Sequence, residues 1–200
     1  FPHSFQKLLL NLTNLNKLNI SHRHSFLNAN CMKTISKLVK RNLRVLTLIS
    51  KNCSGLHSDN FEQFGKTLAK QKKLNSFKLE IDYGYNFSAV GFEYFAKSLS
   101  RLRLSQFSLI LINPGGLNDI TFEKINRALS QHKSLKKVFY HLSSEGVGDN
   151  SLTSIASYLK RLKQLQQIGI RVDTTDTTTF ASLGSIVNEL SSLRNLKSLE

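Results

Sequence analysis

The octapeptide LKKVFYHL, residues Leu135–Leu142, decides the fold of this chain because its spacing of apolar side chains recurs from one end of the sequence to the other. Apolar residues stand at its first, fourth, sixth and eighth positions. The same frame, in full or shortened form, begins at Leu15, Leu43, Leu74, Leu104, Leu135, Leu165 and Leu196. Successive starts are 28 to 31 residues apart. A period held this closely over the whole chain indicates a repeat protein.

A second apolar pattern, with helical spacing, precedes the later starts. Three side chains separated by three and then four residues lie on one face of a helix, and we predict that they belong to the core. The sets are Phe61, Phe64 and Leu68; Phe92, Phe95 and Leu99; Phe122, Ile125 and Leu129; Leu152, Ile155 and Leu159; and the wider set Phe180, Leu183 and Leu190. Helix starts are expected at the capping residues Asp59, Thr121 and Ser151.

Each repeat is therefore predicted to consist of a strand, a loop, a helix and a short turn. One strand and one helix cannot bury their apolar faces alone, but stacked repeats can, and their strands then form one parallel sheet with the helices on the other side. Because helices are wider than strands, the stack curves and the sheet becomes concave. We predict an α/β solenoid of about six to seven repeats, forming a single domain over residues 1–200. The chain starts near a repeat and stops within a strand, so we expect a fragment of a longer protein with further repeats or domains beyond both ends.

These repeats resemble the leucine-rich repeats of the ribonuclease-inhibitor-like class, whose units have a similar length and contain a full helix. The resemblance covers essentially the whole chain and implies the same curved solenoid. One feature departs from the family, because the asparagine that usually follows the strand core is absent. The matching positions are Asp82, Ile112, Ser143 and Asp173. We expect longer strands to satisfy the backbone groups that this asparagine would bind.

Composition limits the function. The chain has 28 Lys and Arg residues against 13 Asp and Glu residues, and its net charge of +15 favours an acidic partner. Only Cys31 and Cys53 are present, without a CxxC pair, which excludes a disulfide framework and a cysteine-rich zinc site. No apolar run approaches the roughly 20 residues that span a bilayer. We expect no enzyme activity, no cofactor and no metal, and a cytoplasmic location, free or within a large intracellular assembly.

Basic residues cluster between each helix pattern and the next strand. Since equivalent positions superimpose in a solenoid, they are predicted to form a basic ridge along the edge where the helices end. The ridge consists of Lys70, Lys72, Lys73, Arg101, Arg103, Lys133, Lys136, Lys137, Lys160, Arg161 and Lys163, with Lys40, Arg41, Arg194 and Lys197 towards its ends. The opposite edge is predicted to be acidic, with Glu80, Asp82, Asp119, Glu145, Asp149, Asp173 and Asp176. A purely structural explanation stays open, because cations favour helix C-termini by about 0.3–1 kcal/mol.

The concave face supplies a second candidate surface. In each strand the frame residues point into the core and the residues between them point outwards. Aligning the repeats brings Ile110, Ile112, Phe139 and His141 together on the outward side, beside Arg171. An exposed apolar group with a polar rim is typical of a protein interface. The alternative is that β-branched and aromatic residues simply favour strands.

Three functions remain under consideration. The leading hypothesis is a non-catalytic protein–protein interaction scaffold that binds an acidic protein through its concave face, its basic ridge or both. The second is an RNA- or DNA-associated protein, such as a ribonucleoprotein component, whose ridge contacts phosphates. The third is a structural component of a large acidic assembly such as a microtubule-based structure. Little supports base readout, because most aromatic residues are core; Tyr140 is one of them, and its hydroxyl is expected to need a buried partner.

Overall fold

The computed structural model describes residues 14–23, 34–37, 43–52, 58–83, 88–143, 146–173 and 179–200. Cys31 and Cys53 lie outside these ranges. The strands are β1 (Lys17–Arg23), β2 (Val45–Lys51), β3 (Ser76–Asp82), β4 (Gln106–Ile112), β5 (Lys137–Ser143), β6 (Gln167–Val172) and β7 (Ser198–Leu199). The helices are α1 (Ser58–Leu68), α2 (Ala89–Leu99), α3 (Asp119–Leu129), α4 (Asp149–Leu159) and α5 (Phe180–Leu190). A single helical turn at residues 34–37 lies between β1 and β2.

The seven strands form one sheet in chain order, and each is parallel to the next. Their register aligns the repeat frames, since Leu109 lies opposite Tyr140, which lies opposite Ile170. Each helix packs against the helix of the following repeat. The fold prediction is confirmed: the chain is an α/β solenoid of the leucine-rich-repeat type, with the sheet on the concave side and the helices on the convex side.

The strand frames and the helix patterns of α1 to α4 meet in one continuous core between sheet and helices. In α5 the prediction was wrong for Leu183, which is exposed, because Ile186 and Leu190 form the buried face of that helix. Frame residues such as Leu109 and helix residues such as Phe95 are fully buried. Aromatic rings connect strand to helix within a repeat and one repeat to the next, because the centroid of Phe77 lies 5.9 Å from that of Phe95 in the same repeat and 6.3 Å from that of Phe107 in the next. The Phe107 centroid lies in turn 6.2 Å from that of Tyr140. Such pairs contribute about 0.5–1.5 kcal/mol each beyond the burial of their area.

A buried polar network joins two repeats behind the sheet. Tyr140 is fully buried, and its hydroxyl donates to Oδ1 of Asn126 at 2.7 Å. Nδ2 of Asn126 donates to Oγ of Ser154 at 3.1 Å. The expectation that the buried hydroxyl would find a partner is confirmed. Burial raises the pKa of Tyr140, so its hydroxyl stays protonated and keeps donating.

Longer strands take over the role of the missing asparagine, as expected. Strands β3, β4 and β5 each have seven residues and extend to the positions where the asparagine would stand. Directly after them, the N–H of Tyr83 donates to the carbonyl of Ile112 at 2.8 Å, and that of Asn113 donates to the carbonyl of Ser143 at 2.6 Å. Tyr83 and Asn113 turn the chain out of the sheet with positive φ angles of 57° and 45°. The backbone at this edge is therefore satisfied by strand pairing.

The predicted helix starts were wrong by two or three residues. Helix α3 begins at Asp119, and its N-cap is Asn118, whose side chain accepts from the N–H of Thr121 at 2.9 Å. Oγ1 of Thr121 accepts in return from the N–H of Asn118, which completes a capping box. Ser151 likewise stands third in α4, and Asp59 stands second in α1. The apolar pattern marks the buried face of a helix, whereas its first residues lie up to one turn earlier.

Candidate protein-binding surfaces

One exposed cation recurs at the same place in five successive repeats. It lies in the turn between each helix and the following strand, next to a buried side chain such as Leu162. These five residues, called the cation ladder below, are Lys72, Arg103, Lys133, Lys163 and Arg194. Their side chains form no ion pair with any residue in the described part of the chain. The cation ladder is thus a row of positive charges that the described residues do not neutralise.

Most other members of the predicted basic ridge surround the cation ladder. Exposed positions in the same turns are Lys70, Lys73, Arg101, Lys136, Lys160, Arg161 and Lys197. Lys137 is the first residue of β5, so it belongs to the concave face more than to the turn. Lys40 and Arg41 lie outside the described residues.

Two ridge residues are engaged within the chain. Nζ of Lys160 lies 2.8 Å from a carboxylate oxygen of Glu189, which belongs to the next helix. The guanidinium carbon of Arg161 lies 4.9 Å from the centroid of the Tyr158 ring, in cation–π geometry. These two side chains are less available to a partner than the sequence alone suggests.

On the opposite edge, carboxylates connect neighbouring repeats. Asp119 accepts hydrogen bonds from Oγ of Ser151 and from Nδ2 of Asn150, both at the start of the next helix. Asp149 accepts from the N–H and from the hydroxyl of Thr179, both at 2.8 Å. The hydrogen bond from the Thr179 backbone, aided by side-chain hydroxyls, lowers the pKa of Asp149. These acidic residues hold the stack together and do not remain free for a partner.

A buried carboxylate lies on the concave face of β3. Glu80 is only 5% exposed, and its oxygens lie 2.5 Å from Nζ of Lys51 and 3.0 Å from Nζ of Lys78. Burial raises the pKa of Glu80, but hydrogen bonds and charges from both lysines outweigh it, so the pKa is lowered overall. Glu80 is therefore ionised and compensated. Glu145 and Asp176, predicted for the acidic edge, lie outside the described residues.

The predicted concave-face residues lie on three neighbouring strands. Ile110, His141 and Arg171 stand side by side in one row of the sheet. Phe139 lies in the row before them, and Ile112 lies in the row after. Phe139 and Arg171 are exposed, whereas the other three are half-buried. The register brings all five residues to one face, and their binding to a partner stays a prediction.

Phe139 packs over a glycine of the next strand and forms one wall of a groove. A Cβ atom placed on Gly169 would lie 2.6 Å from Cδ2 of Phe139, so a larger residue would displace the ring. The groove has a volume of about 370 Å³, and its lining also includes Thr47, Lys78 and Lys137. Lys78 is paired with Glu80, so the aromatic wall beside Lys137 suits a partner side chain that is apolar at one end and acidic at the other. Gly169, Thr47 and Lys78 were not among the predicted site residues, although the alignment of repeats places Gly169 opposite Phe139.

A carboxylate orients two of the predicted site residues beside this groove. Oδ2 of Asp173 lies 3.0 Å from Nε2 of His141, and Oδ1 accepts from Nε of Arg171 at 3.2 Å. The hydrogen bond with His141, followed by that from Arg171, lowers the pKa of Asp173. Asp173 thus stays ionised and partly neutralises Arg171, which limits the charge that Arg171 offers to a partner.

The described part of the chain contains neither a membrane span nor a group of metal ligands. No helix there is long and apolar enough to cross a bilayer. Among the described residues, no three or more His, Cys, Asp or Glu side chains are grouped so as to hold a metal ion. The two candidate binding surfaces are the cation ladder with its neighbours and the groove beside Phe139.

Comparison with known proteins bears on the fold. No protein-family model matches the chain, and no curated protein matches it significantly. Among solved structures, the chain is similar to one named "Leiomodin-1 Actin-Binding Site 2 (ABS2)", with a TM-score of 0.54 and 15% sequence identity. The match covers 94% of this chain and 86% of that chain. At this identity the likeness shows the fold alone, a solenoid of the leucine-rich-repeat type.

Proposed function

We propose that this chain is a non-catalytic protein-binding scaffold, a leucine-rich-repeat solenoid of the ribonuclease-inhibitor-like class, which binds an acidic protein. In this proposal residues 1–200 form a single domain that acts in the cytoplasm. The partner contacts the basic edge that carries the cation ladder. It also reaches the concave face, where Phe139 serves as an apolar anchor.

The different use of charge at the two edges carries the proposal. Carboxylates such as Asp119, Asp149 and Glu80 are bonded within the chain. The cation ladder, in contrast, forms no ion pair with any described residue. Helix dipoles explain why cations stand near helix ends, but they do not require the excess behind a net charge of +15. Aligned, unneutralised cations raise the local potential and attract an anionic partner.

The similar solved structure supports a protein-binding use of such a fold. Its name describes a site of leiomodin-1 that binds actin. A cytoskeletal polymer is one kind of large assembly that can present acidic groups at regular intervals. Actin filaments and microtubules are accordingly the first assemblies to test by co-sedimentation with this chain.

Nucleic acid is the second candidate, because an unneutralised row of cations also suits phosphates. Single-stranded nucleic acid is usually held by aromatic side chains on which its bases stack. The turns of the ridge, residues 70–75, 100–105, 130–136, 160–166 and 191–197, contain no Phe, Tyr or Trp. The edge thus offers charge without a stacking platform, which favours an acidic protein.

Reversing charge on the edge tests the proposal. The edge variant replaces four cations by glutamate: Lys70, Lys72, Arg101 and Lys133. The matched control reverses four exposed cations on the helices: Lys66, Lys97, Lys124 and Arg127. With poly-L-glutamate as the probe, the edge variant should lose at least about tenfold in affinity, or about 1.4 kcal/mol, and the control should lose much less.

The relative affinity for the two polyanions, measured over a range of salt concentrations, separates the two candidates. Binding of poly-L-glutamate by the unmodified protein should weaken as salt rises, and the edge variant should flatten that dependence. Equal affinity of the edge variant and the unmodified protein would refute a role for the edge. Tighter binding to a polyuridine RNA than to poly-L-glutamate, with a steep salt slope, would favour the nucleic-acid function.

A further inference from the structure

We infer that the cation ladder binds an extended acidic polypeptide segment, with one acidic side chain opposite each repeat. This inference rests on the proposed function and adds the conformation and charge spacing of the bound segment. It concerns the five ladder residues and the turns that carry them, independently of the groove beside Phe139.

The spacing of the cation ladder suits an extended chain. Neighbouring strands lie about 4.8 Å apart, and packed helices lie about 8–10 Å apart. Each ladder residue stands in the turn between its helix and its strand, so its Cα is expected between about 5 and 10 Å from the next. In an extended peptide, side chains on the same side recur every 6.6 Å or so. A segment with an acidic residue at every second position therefore matches the middle of this range, whereas a helix presents acids on one face about 5.4 Å apart, near its lower limit.

The turns that carry the cation ladder are tied to one another. The carbonyl of Lys136 accepts the N–H groups of both Gln166 and Gln167, and the carbonyl of Gln166 accepts those of Lys197 and Ser198. The same double hydrogen bond recurs between the earlier repeats, from Arg44 onwards. These carbonyls are already occupied, so the partner is recognised by side chains and not by strand addition.

Side chains reinforce these ties at the ladder positions. Nδ2 of Asn195 donates to the carbonyl of Lys163 at 2.7 Å, which connects one ladder turn directly to the next. Oγ of Ser134 donates to the carbonyl of Leu104 at 2.9 Å, one repeat earlier. Because the backbone positions of the ladder are fixed before binding, less ordering is needed when an extended partner is bound.

A carboxylate of the chain itself already binds at this edge. Glu189 reaches from α5 to Nζ of Lys160, in the preceding repeat, at 2.8 Å. Lys160 lies three residues before the ladder residue Lys163. The contact shows that a carboxylate can be accommodated beside these turns, and it leaves Lys163 itself free of any ion pair with the described residues.

Two synthetic peptides of equal composition test the spacing. Both contain about twelve residues, enough to span roughly 40 Å when extended, with equal numbers of Glu and Ser. One alternates Glu and Ser, and the other carries all its Glu residues in one block. Fluorescence anisotropy at low salt should show that the alternating peptide binds at least about threefold tighter than the block peptide.

Matched variants assign that binding to the cation ladder. The ladder variant changes Lys72, Lys133 and Lys163 to Gln, and the control variant changes Lys97, Lys124 and Arg127, exposed on α2 and α3, to Gln. Each removes three positive charges. The ladder variant should weaken binding of the alternating peptide at least about tenfold, whereas the control should weaken it less than about threefold. Circular dichroism checks that both variants remain folded.

The outcomes separate this inference from the proposed function. If the unmodified protein bound both peptides equally and the ladder variant bound neither, the inferred spacing of acidic residues would be overturned. An acidic partner at the edge would still be supported. Equal weakening by the ladder and control variants would overturn the assignment to the cation ladder. Absence of binding to either peptide by the unmodified protein would overturn both the inference and the proposed acidic partner. Tighter binding to a polyuridine of similar length, with the same loss in the ladder variant, would replace the peptide by nucleic acid.

Discussion

Replacing His132 should reveal a hydrogen bond between repeats that depends on pH. His132 is 4% exposed and stands where other repeats have Leu102 and Leu162. Its Nδ1 accepts from the backbone N–H of Leu104 at 3.3 Å. The turn between α2 and β4 has six residues, one fewer than the turn between α3 and β5. In the longer turns, the residue equivalent to Leu104 donates its N–H to a backbone carbonyl of the same turn. For example, the N–H of Leu165 donates to the carbonyl of Leu162 at 2.9 Å.

Burial lowers the pKa of His132, and the nearby carbonyl of Leu99 only partly opposes this effect. The native ring is therefore neutral, whereas in the unfolded chain it takes up a proton near its ordinary pKa of 6.5. A lowered native pKa stabilises the fold above about pH 6.5, and the stabilisation is lost as the pH falls below that value. One proton changes the free energy of unfolding by at most about 1.4 kcal/mol per pH unit.

Two variants separate the hydrogen bond from the titration. His132→Leu removes both, and at about pH 7.5 it should cost about 1–3 kcal/mol because the buried N–H of Leu104 loses its acceptor. His132→Gln retains a side-chain acceptor without a titrating group, so it should cost less than His132→Leu. Urea denaturation at about pH 7.5 and 5.5 gives the free energy of unfolding of each protein. His22, whose pKa burial also lowers, is present in all of them and cancels in the comparison.

The pH comparison gives a clear refutation. The unmodified protein should lose more stability between the two pH values than either variant. If His132→Gln lost as much as the unmodified protein, the ring of His132 would not be kept neutral by the fold. If His132→Leu matched the unmodified protein at about pH 7.5, the hydrogen bond to Leu104 would contribute nothing.

Three further substitutions test other contacts. Tyr140→Phe leaves Oδ1 of Asn126 without its donor in the core and should cost about 1–3 kcal/mol in urea denaturation, and an unchanged midpoint would contradict the network. Gly169→Ala should displace the Phe139 ring and thereby lower the free energy of unfolding. This loss should shrink when Phe139 is also changed to Ala, and a double-mutant cycle without coupling would disprove the contact. Glu80→Gln should cost about 1–3 kcal/mol at neutral pH, because two lysines lose their shared carboxylate. The difference from the unmodified protein should shrink as the pH falls below 4.5, the ordinary pKa of Glu, and should vanish only below the lowered pKa of Glu80 in the fold. A difference that persisted at low pH would point to packing instead of charge.

Much of the fold was predictable because the same apolar pattern recurs in every repeat. The frame that begins at Leu135 recurs at nearly constant intervals, and equivalent positions must superimpose when repeats stack. That rule alone placed Ile110, His141 and Arg171 in one row and aligned the cations of the turns. Helix starts were less predictable, because the capping box of Asn118 lies outside the apolar pattern that marks α3.

The candidate surfaces were only partly predictable, because the charge available to a partner depends on side-chain contacts. Lys160 and Lys163 look equivalent in the sequence, yet Glu189 neutralises only Lys160 among the two. Arg171 was predicted to contact a partner on the concave face, but its Nε already donates to Oδ1 of Asp173 at 3.2 Å. Such contacts join residues of different helices or the two sides of one strand, and no local pattern reports which rotamer brings them together.

The amino-acid sequence by itself determined the solenoid, its parallel sheet and the edge on which the basic residues lie, because a periodic apolar frame can be buried in one way only when repeats stack. The tertiary structure alone decided which of those charges form no ion pair with the described residues. It also showed that His132 supplies the acceptor missing from a shortened turn and that the Phe139 ring packs against Gly169. These features depend on distances of a few ångströms between residues about 30 positions apart. A repeat period fixes which residues become neighbours, but only the packed side chains determine whether those neighbours bond to each other or stay free for a partner.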